Sequence, residues 1–241
     1  MRIPSLALVS ALALFGAASS LPAQEAEDSR PGVAVMRFDN GGSHGEDAEP
    51  EDFRALEVGL QQMLLTELGQ NPELRIIERG RIADRARELD LGQGDRIDSA
   101  TAARVGRLVG ARYMVFGTFT DLFGQMRLDV RVVDVETGEI LTSQGIDGER
   151  TGVLSLLVDL ADQISTSVDL PPLPDDVKEQ RKEEAEDVPA EGINQYAHAL
   201  MLIDEGFKEE GMQSLERVVD QFPEWDEPRQ VLEEERSSTG V

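Results

Sequence analysis

A run of strict alternation near the middle of the chain constrains the fold more than any other feature of the sequence. Met126, Leu128, Val130 and Val132 alternate with charged residues in the segment MRLDVRVV. A period of two is typical of a strand with one buried face and one solvated face. Phe-Gly-Gln and Glu-Thr-Gly flank the run, at the places where hairpin turns are expected. Residues 112–149 are therefore predicted to form a three-stranded β-meander.

The rest of the domain combines short apolar runs with helical periodicity. GVAVMRFDN and LRIIER predict strands, whereas EDFRALEVGLQQMLLTELGQNP and RGRIADRARELDLG predict helices. Asp98 is expected to cap a third helix, because its carboxylate can accept from the first free backbone amides. TGVLSLLVDLADQISTSVDL predicts a final helix after the meander. The order β-α-β-α-α-β-β-β-α predicts an α/β (α+β) fold, with a mixed sheet covered by helices and a small α-helical tail after it.

Charge and cysteine content exclude several classes of function. The chain has 241 residues, a formal net charge of −25 and no cysteine. Disulfides, thiolate catalysis, cysteine-bound metals and a lipid anchor on an N-terminal cysteine are thereby excluded. Such an acidic chain repels nucleic acid and anionic lipid surfaces. We expect no nucleic-acid partner and no membrane insertion.

The N-terminus is typical of a secretory signal peptide. Arg2 supplies a positive charge, and the apolar run Leu6–Phe15 is too short to span a bilayer as a helix. Cleavage is predicted between Ala23 and Gln24, with cleavage after Ser20 as the alternative. A buried N-terminal helix is disfavoured because the run is apolar on all sides. We expect a periplasmic protein that is not a lipoprotein, with peripheral outer-membrane association as an option.

The C-terminal third changes character. Its first part is Pro-rich and charged, which is typical of a linker, although a short solvated helix over 177–186 is an alternative. The following residues have helical periodicity with glycines at tetratricopeptide-repeat spacing, and a generic helical hairpin explains them equally well. The predicted segments are 1–23 signal peptide, 24–30 flexible, 31–170 α/β domain, 171–192 acidic linker and 193–236 helical hairpin.

A single helical hairpin cannot bury its whole apolar face. Tyr196, Leu200, Phe222 and Trp225 are therefore predicted to bind protein, because large exposed apolar patches usually mark contact sites. Docking of the hairpin onto the α/β domain of the same chain is the alternative. Candidate partners are other envelope proteins and a second copy of the chain.

The glycine-rich stretch NGGSHGED follows a strand, where many proteins bind phosphate. A Walker loop needs a lysine and a Ser/Thr after its last glycine, but here Glu46 and Asp47 follow Gly45. Its negative charge also opposes phosphate. An acidic connector that caps the next helix is the simpler reading. A calcium or small-ligand site in loop 39–52 is the alternative function, and its potential ligands are His44, Glu46, Asp47, Glu49, Glu51 and Asp52.

Nucleophilic catalysis needs a base near a Ser, Thr or Cys. The only histidines are His44, in that loop, and His198, in the tail. The sequence contains no G-x-S-x-G motif, and no lysine precedes Lys178. We therefore predict that the protein is not an enzyme and has no catalytic, cofactor-binding or metal site.

A series of motifs resembles the CsgG family of bacterial envelope proteins. The series runs through PGVAVMRFDN, ALEVGLQQMLLTEL, LRIIERGRIADRARELDL, DSATAARVGRLVGARYMVFGTFTD and VRVVDVETGEIL, over residues 31–170. Related folds occur in the penicillin-binding-protein activator LpoB, in flagellar-associated envelope proteins and in the N-terminal domain of TolB. The resemblance implies a non-enzymatic domain that binds other envelope proteins or itself.

The chain departs from the curli secretion channel of this family in two respects. It has no cysteine for a lipid anchor. The loop after the first strand is also too short and too charged for membrane-crossing hairpins, which need about 9–11 residues per strand. The sequence therefore favours an exported interaction module in envelope assembly or secretion over a pore.

Overall fold

A computed structural model of the chain describes residues 28–43, 49–91, 97–170 and 172–239. The predicted signal peptide and its cleavage site between Ala23 and Gln24 lie outside these residues. The strands are β1 (Gly32–Val35), β2 (Asp39–Asn40), β3 (Arg75–Ile76), β4 (Tyr113–Leu122), β5 (Gln125–Asp134) and β6 (Ile140–Glu149). The helices are α1 (Pro50–Gly69), α2 (Arg79–Glu88), α3 (Ser99–Val109), α4 (Val153–Ser167), α5 (Asp175–Glu186), α6 (Ala190–Asp204), α7 (Lys208–Gln221) and α8 (Asp226–Thr239).

The strands form one mixed sheet, which confirms the predicted fold class. Its order is β3-β1-β4-β5-β6, and β2 pairs with β4 off this path. β1 runs parallel to both β3 and β4, whereas β4, β5 and β6 form the predicted antiparallel meander. The residues predicted to alternate in β5 do so, with Met126, Leu128, Val130 and Val132 buried and the residues between them exposed.

The predicted first strand, GVAVMRFDN, is interrupted. β1 ends at Val35, and β2 resumes pairing with β4 only at Asp39. Helix α1 supplies the reason, because the Gln61 side chain donates to the Val35 carbonyl and the Phe38 amide donates to the Glu57 carbonyl. Backbone groups that would otherwise join the sheet are therefore satisfied by the helix.

The sheet is covered differently on its two faces. Val33, Val35 and Phe38 face α1 and α4, and belong to a core that continues into the tail helices. Ala34 and Met36 face α2 and α3, and belong to a second, smaller core. Successive side chains of a strand point to opposite faces, so β1 contributes to both cores. On the same face of the sheet, β5 exposes Arg127 and Arg131, whereas its Val133 joins the smaller core.

Helix α3 begins at the cap that its sequence predicts and ends at a glycine. The Asp98 carboxylate accepts from the Thr101 amide at 2.8 Å, which confirms the predicted N-cap. A Cβ on Gly106 would lie 2.5 Å from a Val135 methyl group, so this glycine permits close approach to the sheet. Gly110 has a different role, because it has a φ of 71° and ends the helix in the left-handed conformation.

The segment expected to be a linker contains a helix. α5 occupies most of residues 171–192, and Leu173, Ala185 and Val188 on or beside it are buried. Arg181 of α5 forms an ion pair with Glu67 of α1, at 2.6 Å. Apolar contacts and this ion pair hold the segment against the α/β core. The division into domains stays a prediction.

The tail forms three helices, of which α6 packs directly on α1. The helices approach closely at Gly59, where an added Cβ would lie 2.7 Å from the Ala197 Cβ. α7 then packs on α6 at Gly211, where a Cβ would lie 2.8 Å from the Ala199 carbonyl oxygen. Gly211 is therefore the small residue that permits close approach at the α6–α7 interface.

Candidate functional site

The described ends of the acidic loop are engaged in local structure. The Asn40 side chain accepts from the amides of Gly42 and Ser43, at 3.0 and 2.8 Å. On the far side of the loop, the Glu49 amide donates to the Asp52 carboxylate at 2.9 Å, as part of a capping box at the start of α1. The candidate ligands His44, Glu46 and Asp47 lie outside the described residues.

Asp52 also links the loop to the tail. His198 of α6 lies 2.8 Å from an Asp52 carboxylate oxygen, measured to its Nε2. Burial opposes ionisation of Asp52, but hydrogen bonds from His198 and the Glu49 amide outweigh it, so the pKa of this carboxyl lies below its usual value. Because the Asp52 carboxylate already interacts with His198 and the Glu49 amide, it is less available as a calcium ligand.

A buried acid stabilises the end of the meander where the β4–β5 turn lies. Asp121 is fully buried and forms an ion pair with Arg150, which follows β6. Its carboxylate also accepts from the Gly124 amide at 2.8 Å, and its own amide donates to the Ser43 hydroxyl at 2.9 Å. Asp121 therefore connects the β4–β5 turn, the end of β6 and the start of the acidic loop at Ser43.

The tail residues predicted to bind protein lie inside the chain. Tyr196, Leu200 and Trp225 are buried, and Phe222 is half-buried. The Tyr196 and Trp225 rings meet edge to face, with their centroids 4.9 Å apart. All four residues pack on the core that includes α1. This arrangement is the one expected if the tail docks on the α/β domain of the same chain. A role of these residues in binding a partner stays a prediction.

Beside Tyr196 lies a cluster of buried polar groups that sequence reasoning missed. The Tyr196 hydroxyl donates to the Glu227 carboxylate at 3.0 Å. Burial and the nearby Glu67 carboxylate raise the pKa of Glu227 from 4.5 to about 7. In sequence, Glu67 and Glu227 resemble any other solvated acid on a helix. They differ from a solvated acid because Glu67 of α1 and Glu227 of α8 lie close to each other in the folded chain.

An open groove of about 1280 Å³ lies between the α/β domain and the tail. We call it the α2–α8 groove, because α2 forms one wall and α8 the other, with parts of α1, β3 and α6 between them. Its apolar lining includes Leu65, Ile76, Ile203 and Val231. Among the described residues it is the feature best suited, by size and mixed chemistry, to receive another molecule.

Arg79 ties the two sides of this groove together. It belongs to the sequence IIERGR at the start of α2. Arg79 is buried and pairs with Asp204 at the end of α6, and its guanidinium lies 3.9 Å from the Glu235 carboxylate of α8. The partners lie more than 120 residues away, which is why sequence spacing alone did not reveal them.

The sequence resemblance to the CsgG family is confirmed by comparison with known families. The family model for the curli production assembly/transport component CsgG matches residues 15–124. Within the described residues this range includes β1 to β4 and ends at the turn after β4. No curated protein matches the chain.

Several solved structures are similar to the chain at low identity. The C-terminal domain of LpoB from Salmonella enterica is 18% identical, with 52% of this chain and 87% of that chain covered and a TM-score of 0.37. LpoB from E. coli is 15% identical, with 61% and 84% covered and a TM-score of 0.39. TolB from Acinetobacter baumannii is 12% identical, with 58% and 29% covered and a TM-score of 0.38.

Proposed function

We propose, from the premise that residues 15–124 are CsgG-like, that this protein is an exported interaction module in cell-envelope assembly or secretion. The family match carries the proposal, because the matched family is described by assembly and transport. The N-terminal signal pattern supports export to the periplasm. Other envelope proteins are the proposed partners, and a second copy of the chain is a further candidate.

The chemistry of the described residues supports a binding role rather than an enzymatic one. His198, the histidine that the described ranges contain, faces the Asp52 carboxylate. The buried Asp121 carboxylate is engaged by Arg150 and the Gly124 amide. A general base must reach a substrate proton within hydrogen-bond distance, whereas these groups hold elements of the fold together. We therefore expect the protein to act by binding other molecules at its surface.

The architecture supports a module that presents the tail and the CsgG-like part as one surface. α6 lies against α1 with the close contact of Gly59 and Ala197. α5 is joined to α1 through Arg181 and Glu67. A partner would meet both parts at once, and the α2–α8 groove is the place where they adjoin. None of the helices among the described residues has the length and apolar character that a bilayer crossing needs.

Cross-linking in living cells tests the proposal. The full chain, carrying a photo-reactive side chain at an exposed position such as Leu108, is expressed with its predicted signal and irradiated. We expect discrete cross-linked species that contain envelope proteins and that disappear when unlabelled chain is in excess. Recovery of the uncross-linked protein alone, at every exposed position tried, would contradict an interaction module.

Cell fractionation tests the location. We expect the processed protein in the periplasmic fraction, or released from the outer membrane by high salt. Recovery only from detergent-extracted outer membrane, after washes with salt and carbonate, would contradict the proposed peripheral association. Recovery of the unprocessed chain from the cytoplasm would contradict export itself.

A further inference from the structure

The lining of the α2–α8 groove is net negative, because it contains six acidic residues, Glu78, Asp84, Asp204, Glu233, Glu234 and Glu235, and four basic ones, Arg79, Arg81, Arg87 and Lys208. Three of its acidic residues already serve a basic residue of the lining: Asp204 pairs with Arg79, Glu235 pairs with Lys208, and Asp84 pairs with Arg87. Glu78 and Glu234 lie on opposite walls, and among the described residues neither has an ion-pair partner. Glu78 and Glu234 are therefore able to pair with a positive charge on a bound molecule.

The acidic residues of the two walls repel each other, and this repulsion affects the pKa of Glu234. Burial, followed by the negative charges of Glu78 and Glu235, raises the pKa of this carboxyl. Arg79 lowers it, but the balance stays with the acids. A positive charge placed between Glu78 and Glu234 would relieve this repulsion, because opposite charges within a few ångströms favour ionised carboxylates.

The groove also offers contacts that a charge alone does not use. Leu65 and Val231 are buried at its base, and Ile76 and Ile203 are partly buried beside them. The Nε of Arg79, itself buried, has no hydrogen-bond partner among the described residues.

We infer that the α2–α8 groove receives a basic amphipathic segment of a partner protein, an inference that rests on the proposed interaction role. A lysine or arginine of the segment lies between Glu78 and Glu234. Apolar side chains of the same segment pack on Ile76 and Ile203, the partly exposed apolar residues of the lining. A helix that presents apolar residues every three or four positions, with basic residues beside them, provides both contacts.

Charge and size select this occupant over others. The chain carries a net charge of −25, so a second copy would approach the groove against repulsion. Small molecules usually occupy clefts of about 300–1,000 Å³, whereas this groove has about 1280 Å³. An acidic segment would increase the charge repulsion around Glu78 and Glu234. A basic segment meets long-range attraction and a complementary surface.

A synthetic peptide tests the inference on the full processed chain. The probe repeats Leu and Lys at helical spacing over about 14 residues, or about 21 Å as a helix, which matches the 14 residues of α8. Its affinity is measured by calorimetry. We expect E78Q/E234Q to bind it about tenfold more weakly than the wild type, because two charge contacts are lost.

The matched control is E179Q/E183Q, which removes the same charge from exposed positions of α5, away from the groove. We expect its affinity to stay within about twofold of the wild type, because distant exposed charges are largely screened. Equal weakening of both double variants would show that the peptide follows net charge, and would overturn the inference. Unchanged binding by E78Q/E234Q would overturn it as well.

Two further arms complete the test. A peptide with Ser in place of each Leu is expected to bind weakly, and equal binding would refute the apolar contacts. The variant E78K/E234K is expected to prefer a peptide with Glu in place of Lys, and failure of this reversal would refute recognition between the walls. If the groove variants still form the cellular cross-links of the wild type, the inference fails while the proposed function stands.

Discussion

Replacing Glu227 by Gln should stabilise the protein at alkaline pH and have little effect at acid pH. Glu227 lies on α8 among Tyr196, Glu67 and the Thr66 side chain, and burial and Glu67 raise its pKa to about 7. Gln has nearly the same shape and keeps an acceptor for the Tyr196 hydroxyl, but it never ionises. The variant therefore isolates the free energy of placing a charge in this site.

The native state binds the Glu227 proton more tightly than the unfolded chain, where the pKa is near 4.5. The stability that this proton contributes is complete below pH 4.5 and is lost as the pH rises through about 7. The difference between the two pKa values corresponds to about 3 kcal/mol. The advantage of E227Q over the wild type should grow by this amount between pH 4.5 and pH 8.

Urea unfolding at half-unit intervals from pH 4 to pH 8.5 measures the effect. Trp225, the single tryptophan, lies against Tyr196, so its fluorescence reports the packing of this region. The exposed Glu224 provides the control, and E224Q should follow the wild type at every pH. If the free energies of unfolding of E227Q and the wild type changed in parallel with pH, the raised pKa of Glu227 would be refuted.

Three other predictions concern packing, charge and the loop. G59A should lower the free energy of unfolding by about 1–3 kcal/mol, since its Cβ would meet α6 at 2.7 Å. G80A, where a Cβ meets nothing within 4 Å, should be neutral or stabilising in chemical unfolding, and equal losses would contradict the close helix contact. R181M should destabilise by about 3 kcal/mol because it leaves Glu67 buried without its partner. The double variant E67Q/R181M should recover part of that loss in the same assay, and a further loss would contradict the pairing. Calorimetry with calcium should show no binding at micromolar concentrations, and micromolar affinity that depends on loop 39–52 would favour the alternative function.

Local patterns were sufficient to predict much of the secondary structure. The alternation in β5 and the Asp98 cap each depend on neighbours within a few positions. These features follow from chain geometry and short-range hydrogen bonds. The interruption after Val35 could not be predicted in this way, because the groups that replace the sheet hydrogen bonds come from Gln61 and Glu57 on α1.

The groove and the polar cluster depend on tertiary contacts. Arg79 gave a recognisable motif, but nothing in the motif specifies Asp204 or Glu235 as its partners. Glu227 stands in an acidic helix, and only the docking of α8 removes it from water. A helical period shows which face is apolar, but it does not show which neighbour covers that face.

The contact between Gly59 and Ala197 has a consequence for the time course of synthesis. The two residues are 138 positions apart in the chain. At about 5–20 residues per second, a ribosome would add Ala197 roughly 7–28 s after Gly59. During that interval the part of α1 that α6 covers in the native state stays exposed, and factors that hold nascent chains unfolded would have it as a binding site.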